Sequence, residues 1–256
     1  MMPSAPVALF DPLYVGAAVL YLLAALADFA WPRSRPLLLA TGVLLHLLGL
    51  IARANAISYF PLTNKFESFY AFSFAVFAVA LLVSNSPSRV HRMVLWCVGA
   101  AFYLWTTRFD RGAFFPPPLM MTVWYPLHVP ASFFAYALWG SSAGAAVAAL
   151  LGSRDPAVLR TLDQHAFWGW CVFSLSMICG GAWGYVAWGA YFLWDPKVVW
   201  SVILWLFYSG FVHLRHWPTG NRAAPKSVLA IVGLVLMLIA YVGTSFFFSH
   251  GSHSFG

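Results

Sequence analysis

The residues best suited to chemistry lie in one aromatic segment of the chain, GGAWGYVAWGAYFLWDPKVVWS, at residues 180–201. Small residues let a flat group approach the backbone closely, while aromatic rings can cover the faces of that group. The pattern favours a bound macrocycle such as haem, although a belt of aromatic anchors at a membrane interface has a similar composition. The residues concerned are Trp183, Trp188, Trp194, Tyr185, Tyr191, Gly184, Gly189 and Ala190.

The aromatic segment also contains a helix start signal. Asp195 can accept hydrogen bonds from free backbone amides, and Pro196 suits the first helical position because it has no amide hydrogen to satisfy. We therefore predict that a helix begins at this pair, directly after the aromatic residues.

Two histidines can serve as iron ligands beside the aromatic segment. His128 follows Trp124 near the start of an apolar run, and His253 lies in the C-terminal sequence GSHSFG. Two neutral imidazoles on opposite faces of a porphyrin give six-coordinate iron, a common ligation of haem. His250 competes with His253 for this role, and the sequence does not distinguish the two.

The remaining histidines divide by their position in the chain. His46 and His213 fall within apolar runs, where an ionisable group usually faces a partner, a cavity or a substrate path. A hydrogen bond between helices would also explain His46, and a location at the inner interface would explain His213. His91, His165 and His216 are expected in solvated loops.

Composition places these residues in a membrane protein. Hydrophobic residues make up 62% of the chain and charged residues 8%, whereas about a quarter of a soluble domain is charged. The net charge of +7 does not indicate nucleic-acid binding, because the basic residues lie in short loops between apolar runs. The three cysteines form no CxxC pair, so we expect neither a redox dithiol nor a zinc site. The first apolar run has no basic region before it, so we expect no cleaved signal peptide.

The elements that must position the site are transmembrane helices. Apolar runs indicate about eight spans of roughly 20 residues each, in an all-α polytopic fold with residues 1–256 in a single membrane domain. Alternating loops carry nine and five Lys or Arg residues, which predicts a cytoplasmic location for the first set and both termini outside. The predicted spans cover residues 12–30, 37–54, 66–84, 91–107, 126–151, 167–187, 197–215 and 227–248.

A carboxylate opens the third predicted span. Glu67 lies in NKFESFYAF, residues 64–72, on the side assigned to the outside. The helix dipole favours a negative charge at this position, so helix capping explains Glu67. The same carboxylate could instead orient a metal-ligating histidine by accepting its second ring N–H.

Several motifs together resemble a known family. The stretch WGAYFLWDPKVVWS, residues 188–201, resembles the tryptophan-rich "WWD" segment of haem-handling membrane proteins. The chain as a whole resembles the CcsA (ResC) family of System II cytochrome c assembly. Three further motifs match in the same order, namely NKFESFYAF, LHVPASFFAYAL at residues 127–138 and GSHSFG at residues 251–256.

The resemblance implies a haem-handling subunit of a cytochrome c synthase in a bacterial inner membrane or a thylakoid membrane. His128 and His253 match the two external ligands of haem b (iron-protoporphyrin IX), and His213 matches a membrane histidine that receives haem from the cytoplasmic side. A CcsB (ResB) partner would supply a further ligand, and an apocytochrome c with a CxxCH motif would take up the haem. No residue of this chain is expected to act as an acid or base. The other implied haem-binding residues are Trp183, Trp188, Gly189, Tyr191, Trp194 and Asp195.

The chain departs from the family pattern at three positions, and three other functions stay open. Phe192 replaces a usual Trp, Val198 a usual Glu and Val199 a common Thr, which removes hydrogen-bonding groups near the segment. A CcmC-type haem exporter would have fewer spans, usually about six, and would lack the GSHSFG ending. A HemX/YpjD-type haem regulator shares the WWD segment. A small-solute transporter would need charged residues along a path, and Asp28 is the only carboxylate well placed for that.

Overall fold

The described part of the chain is mainly helical and contains no strand. The structure, a computed structural model, describes residues 5–112, 114–214 and 223–244. The all-α class predicted from the sequence is therefore confirmed. The helices are α1 (Ala5–Ala30), α2 (Arg35–Ile57), α3 (Lys65–Leu82), α4 (Arg89–Trp105), α5 (Trp124–Leu150), α6 (Pro156–Trp188), α7 (Pro196–His213) and α8 (Ala223–Leu238).

These helices follow the predicted spans in order. Within the described ranges, six of them are long and apolar enough to cross a membrane, and they are α1, α2, α3, α5, α6 and α8 with its continuation. The prediction of a polytopic membrane protein is confirmed. Helices α4 and α7 contain 17 and 18 residues, so they rise only about 26 to 27 Å, slightly less than a bilayer core of about 30 Å.

Helix α6 is longer than predicted. It begins at Pro156 instead of near residue 167, because Asp155 caps it by accepting a hydrogen bond from the Ala157 amide at 2.8 Å. It extends to Trp188, so the first half of the predicted aromatic segment is helical. Residues 189–195 form a short connection to α7, and residues 196–201 of the segment are the first residues of that helix.

The chain divides into two compact units. The first comprises Met1–Asn85 with Leu95–Met121, and the second comprises Ser86–Val94 with Thr122–Gly256. The first unit thus contains α1, α2, α3 and most of α4. The second contains the start of α4 and helices α5 to α8, and it includes His128 and the aromatic segment at residues 180–201.

Aromatic side chains and two buried ion pairs fill the first unit. The rings of Tyr21 and Phe77 stack with centroids 3.6 Å apart, and the ring centroid of His46 lies 4.0 Å from that of Tyr70. Asp28 is buried and forms an ion pair with Arg35 across the turn between α1 and α2. The intramembrane carboxylate considered for a transporter therefore has a structural partner.

The second unit is built around close packing of α5 against α6. Helix α5 is rich in buried Ala, Gly and Ser, which allows the backbones of neighbouring helices to approach closely. Trp139 of α5 is fully buried and stacks on Tyr208 of α7, with ring centroids 3.7 Å apart and planes inclined by 1°. Gly169 of α6 leaves room for that indole, since a Cβ there would lie 2.5 Å from the Trp139 Nε1. Helix α8 continues as a π-helix at Ile239–Gly243.

Candidate functional site

The ring of His128 has a defined orientation and tautomer. Its Nδ1 lies 2.8 Å from the backbone oxygen of Ser176 on α6. A carbonyl oxygen can only accept, so Nδ1 carries the hydrogen and donates it. In the neutral ring, Nε2 is then the atom with the free lone pair, and no described residue hydrogen-bonds it. This is the arrangement of a histidine that ligates a metal through Nε2.

Two residues of α6 shape the space around this ring. A Cβ on Gly180 would lie 2.7 Å from both Nδ1 and Cε1 of His128, so only glycine accommodates the ring as it is placed. The ring of Trp183 lies next to that of His128, with centroids 6.1 Å apart and planes inclined by 23°. Trp183 is almost fully buried, and its ring also contacts those of Tyr125 and Trp188 at centroid distances of 4.9 and 4.8 Å.

The aromatic segment turns back on α6 after Trp188. Gly189 ends the helix in the left-handed conformation with φ of 72°, which explains this glycine by helix termination. Gly181 and Gly184 face the returning chain, since a Cβ on Gly184 would lie 3.0 Å from the Ala190 oxygen. The helix start predicted at Asp195 is confirmed. Its carboxylate accepts a hydrogen bond from the Lys197 amide at 2.9 Å, and α7 begins at the following proline.

The predicted haem-contacting aromatic residues differ in exposure. Trp183 is inside the unit, Trp188 is partly exposed, and Tyr191 and Trp194 are 69% and 87% exposed. Tyr191 stacks on the ring of Tyr185 with centroids 4.5 Å apart. Trp183 thus contacts both His128 and Trp188, whereas Tyr191 and Trp194 are exposed rings on the connection before α7.

The other two predicted ligands lie elsewhere. His213 is in the last turn of α7, at the opposite end of that helix from Asp195. Its ring is exposed, and its Nδ1 donates to the Ser209 oxygen at 2.6 Å, which leaves Nε2 without a described partner. His253 and its competitor His250 lie outside the described residues, as does His216. Among the described residues, no group of three or more His, Cys, Asp or Glu side chains is placed to hold a metal.

Three other histidines have structural partners. His46 bonds the Tyr21 hydroxyl through Nδ1 at 3.0 Å and the Tyr70 oxygen through Nε2 at 3.1 Å, which is the interhelical hydrogen bonding considered for it. The expectation that His91 is solvated is wrong, because it is fully buried. Its Nε2 lies 3.0 Å from the Ser141 hydroxyl, and the same hydroxyl lies 2.8 Å from Nδ1 of His165. His165 is likewise only partly exposed.

Glu67 has a structural role in the first unit. Its Oε1 accepts from Nε and Nη2 of Arg53 at 3.0 and 2.8 Å, and its Oε2 accepts from the backbone amide and hydroxyl of Thr63 at 2.8 Å each. Both carboxylate oxygens are therefore engaged, and no described histidine contacts them. Arg53 is one of the five basic residues predicted to lie in the outer loops, but it is a buried residue of α2.

Three residues that hold His128 in place were not among the residues predicted from the sequence. They are Ser132 on α5 and Ser176 and Gly180 on α6. A usable signal existed, because the small Ser132 follows His128 by four positions on α5, and the small Ser176 and Gly180 are four positions apart on α6. These pairs share one face of each helix and contact each other. The single sequence does not show which helix faces which.

Comparison with known proteins identifies the class to which this fold and site belong. Residues 33–250 match the family described as Cytochrome C assembly protein, so the chain belongs to that family. Its role is accordingly in cytochrome c biogenesis.

The chain is more particularly similar to CcsA proteins of cyanobacteria. "Cytochrome c biogenesis protein CcsA" from Parasynechococcus marenigrum (strain WH8102) is 28% identical, with 100% of this chain and 99% of that protein covered. The protein of the same name from Prochlorococcus marinus (strain MIT 9215) is 25% identical over 97% and 96% of the two chains. The resemblance to the CcsA family is therefore confirmed.

The fold also matches a solved structure. The chain superposes on "Cytochrome c Heme Lyase CcmF" with a TM-score of 0.74 at 18% identity. The match covers 94% of this chain and 47% of that one, so this chain spans about half the length of its structural neighbour. At this identity the similarity establishes the shared helical fold.

Proposed function

We propose that this chain is the haem-handling subunit of a cytochrome c synthase, and that it binds haem b through His128 and His253. Haem would be presented to the CxxCH motif of an apocytochrome c for covalent attachment. The observation that carries the proposal is the hydrogen bond from His128 Nδ1 to the Ser176 oxygen, which leaves Nε2 available to iron. The family and the CcsA relatives support the same activity.

The residues around His128 suit haem as a substrate. Gly180 leaves space for the imidazole, and the indole of Trp183 packs beside it. The exposed rings of Tyr191 and Trp194 add an aromatic surface on the connection to α7, where the edge or face of a porphyrin can pack. We further propose that His253 supplies the second axial ligand from the C-terminal tail, and that His213 contributes to an earlier, inner haem site shared with a CcsB-type partner.

The attachment reaction requires positioning more than acid–base chemistry. Each cysteine thiol of the apocytochrome adds across one vinyl group of haem, so an S–H bond and a C=C π bond are replaced by an S–C and a C–H bond. No electrons are gained or lost in that addition. The contribution of this chain is to hold the substrate at fixed orientation until the apocytochrome histidine replaces one axial ligand.

The test is the visible absorption spectrum of the detergent-purified chain, expressed with a CcsB-type partner. We expect the sharp reduced bands of bis-histidine haem in the natural chain, their loss in His128→Gly, and their recovery when imidazole is added. The matched control is His46→Gln, which retains a donor and an acceptor at a histidine whose two nitrogens are both bonded within the protein. Absence of haem from the natural chain with its partner, or retention of the full spectrum in His128→Gly, would overturn the proposal.

A further inference from the structure

We propose that Ser176 and Gly180 of α6 are positioning residues for His128, and that the Ser176 hydroxyl strengthens this imidazole as an iron ligand. The inference rests on the proposed function, because it assigns a role to residues that act through the haem ligand. Neither residue would touch haem. Both would determine where the free Nε2 points and how strongly it donates.

Ser176 holds His128 through both its backbone and its side chain. The backbone oxygen accepts from Nδ1 at 2.8 Å, and the hydroxyl oxygen lies 3.0 Å from the same Nδ1. The hydroxyl also donates to the backbone oxygen of His128 at 2.8 Å. Because its hydrogen is used there, the Ser176 oxygen faces Nδ1–H with its lone pairs. The ring N–H is therefore shared between two acceptors of one residue.

Ser132 completes this arrangement on α5. Its hydroxyl oxygen lies 2.6 Å from that of Ser176, and both serines are buried. Since the Ser176 hydrogen is donated to His128, the hydrogen of this contact comes from Ser132. The Ser176 oxygen thus accepts from Ser132 and from His128 while donating to the backbone, so its hydrogen bonds are saturated and its orientation is fixed.

Gly180 limits the position of the ring by close packing beside the same Nδ1. It lies one helical turn after Ser176 on the same face of α6. A Cβ at this position would approach two ring atoms of His128 to 2.7 Å, a distance at which the ring must move. The imidazole is therefore held by the hydrogen bonds to Ser176 and by its close approach to Gly180.

A group that accepts a hydrogen bond from the second N–H of a ligating imidazole changes how that imidazole binds iron. Such an acceptor makes the imidazole more basic, and the more basic ligand favours ferric over ferrous iron. Loss of the acceptor typically lowers metal affinity by about 10- to 100-fold. In Ser176→Ala the backbone oxygen still accepts from Nδ1, so we expect a loss of haem affinity near the lower end, about tenfold. We also expect the midpoint potential of the haem to become more positive.

The experiment compares Ser176→Ala with Ser142→Ala in the chain purified with its CcsB-type partner. Ser142 is a matched control, since its buried hydroxyl donates from α5 to the Leu162 oxygen of α6 at 2.7 Å without contacting His128. Haem affinity and midpoint potential are measured for both variants. The proposal predicts that both quantities change in Ser176→Ala and that neither changes in Ser142→Ala. Reduced haem content with an unchanged potential would indicate a purely structural serine and overturn the proposal.

A double-mutant cycle tests whether Ser176 acts through His128. The His128→Gly background lacks the bis-histidine bands, so its residual haem affinity is measured by titration with haem. Ser176→Ala should cause no further loss of that residual affinity, because the ring that it orients is absent. An equal loss in both backgrounds would refute a positioning role. If the natural chain itself contains no haem, the proposed function fails instead, so the two failures are distinguishable.

Gly180→Ala provides an independent steric test, with Gly140→Ala as its control. A Cβ on Gly140 meets no atom within 4 Å, so this helical substitution should leave haem binding unchanged. In Gly180→Ala the His128 ring is displaced, so we expect the loss of haem affinity to be at least as large as in Ser176→Ala. Folding is checked by the elution profile of the purified protein and by its helical circular dichroism. A folded Gly180→Ala variant with natural haem affinity and potential would overturn the assignment of Gly180.

Discussion

The buried ion pair between Arg53 and Glu67 makes one perturbation of the first unit especially informative. The two side chains are 6% and 0% exposed, so each charge depends on protein groups for its stabilisation. Replacing Glu67 by Ala removes the acceptor of two hydrogen bonds from the guanidinium. Arg53 would retain only the backbone oxygens of Arg111 and Gly112, each at 2.9 Å, and the nearby aromatic rings.

The expected cost follows from leaving a buried cation without its anion. Breaking one partner of a buried pair costs about 3–5 kcal/mol, and the Thr63 amide and hydroxyl would also lose the acceptor that Glu67 provides at 2.8 Å. We expect Glu67→Ala to lower the free energy of unfolding by about this amount. The assay is denaturant unfolding of the purified chain in detergent micelles, supported by the thermal midpoint. If haem binds at the proposed site around His128, haem content provides a separate readout of the second unit.

The decisive comparison is the double variant Arg53→Met with Glu67→Leu. It removes both charges together, and the Thr63 hydroxyl can still donate to the Phe114 oxygen at 3.3 Å. The Thr63 amide and the two backbone oxygens that accept from Arg53 lose these partners, so we expect a smaller loss of about 1–3 kcal/mol. Asp11→Asn serves as a surface control, because Asp11 is largely exposed and lies 3.5 Å from Arg111. A double variant as unstable as Glu67→Ala would refute the argument that the uncompensated charge causes the loss.

Two further predictions concern packing and charge in the second unit. Gly169→Ala should lower the free energy of unfolding by about 1–3 kcal/mol, because its Cβ would collide with the Trp139 indole. Gly140→Ala should be neutral or slightly stabilising, since its Cβ meets no atom within 4 Å. Denaturant unfolding in micelles measures both variants, and equal effects would contradict the steric explanation. The ion pair between Lys226 and Asp163, at 2.9 Å, is partly exposed, so a double-mutant cycle should give a coupling energy of only about 0.2–1 kcal/mol that decreases in high salt. A salt-independent coupling above that range would show that the pair is effectively buried.

Local signals in the sequence were sufficient for much of the architecture. The apolar runs predict the order of all eight helices in the described ranges, because a membrane span needs a long continuous apolar stretch. The pair at Asp195 and Pro196 predicts the start of α7, since both capping and the proline preference act within one helical turn. Features that depend on a few consecutive residues are thus readable without a structure.

Features that depend on helix pairing were not predictable in this way. The sequence predicts a loop cation at Arg53 and either a helix cap or a histidine partner at Glu67. Their separation of 14 residues does not indicate that the two side chains form an ion pair. His91 is predicted from the sequence to be solvated, but its ring contacts Ser141 of a different helix. In each case the chemistry of a polar residue in an apolar environment requires a partner, but the choice of partner is made by packing.

The ring nitrogens of the described histidines show how packing decides which of them can ligate iron. Both nitrogens of His46 and of His91 are bonded within the protein, and the Nδ1 of His165 contacts a hydroxyl that can either donate or accept. Among the histidines that the structure describes, only His128 and His213 place Nδ1 against a backbone carbonyl, which fixes its hydrogen there and leaves Nε2 free of described partners. These are the two described histidines that the family resemblance implies as haem ligands. Motif similarity and hydrogen-bond chemistry are independent arguments, and both favour these two residues.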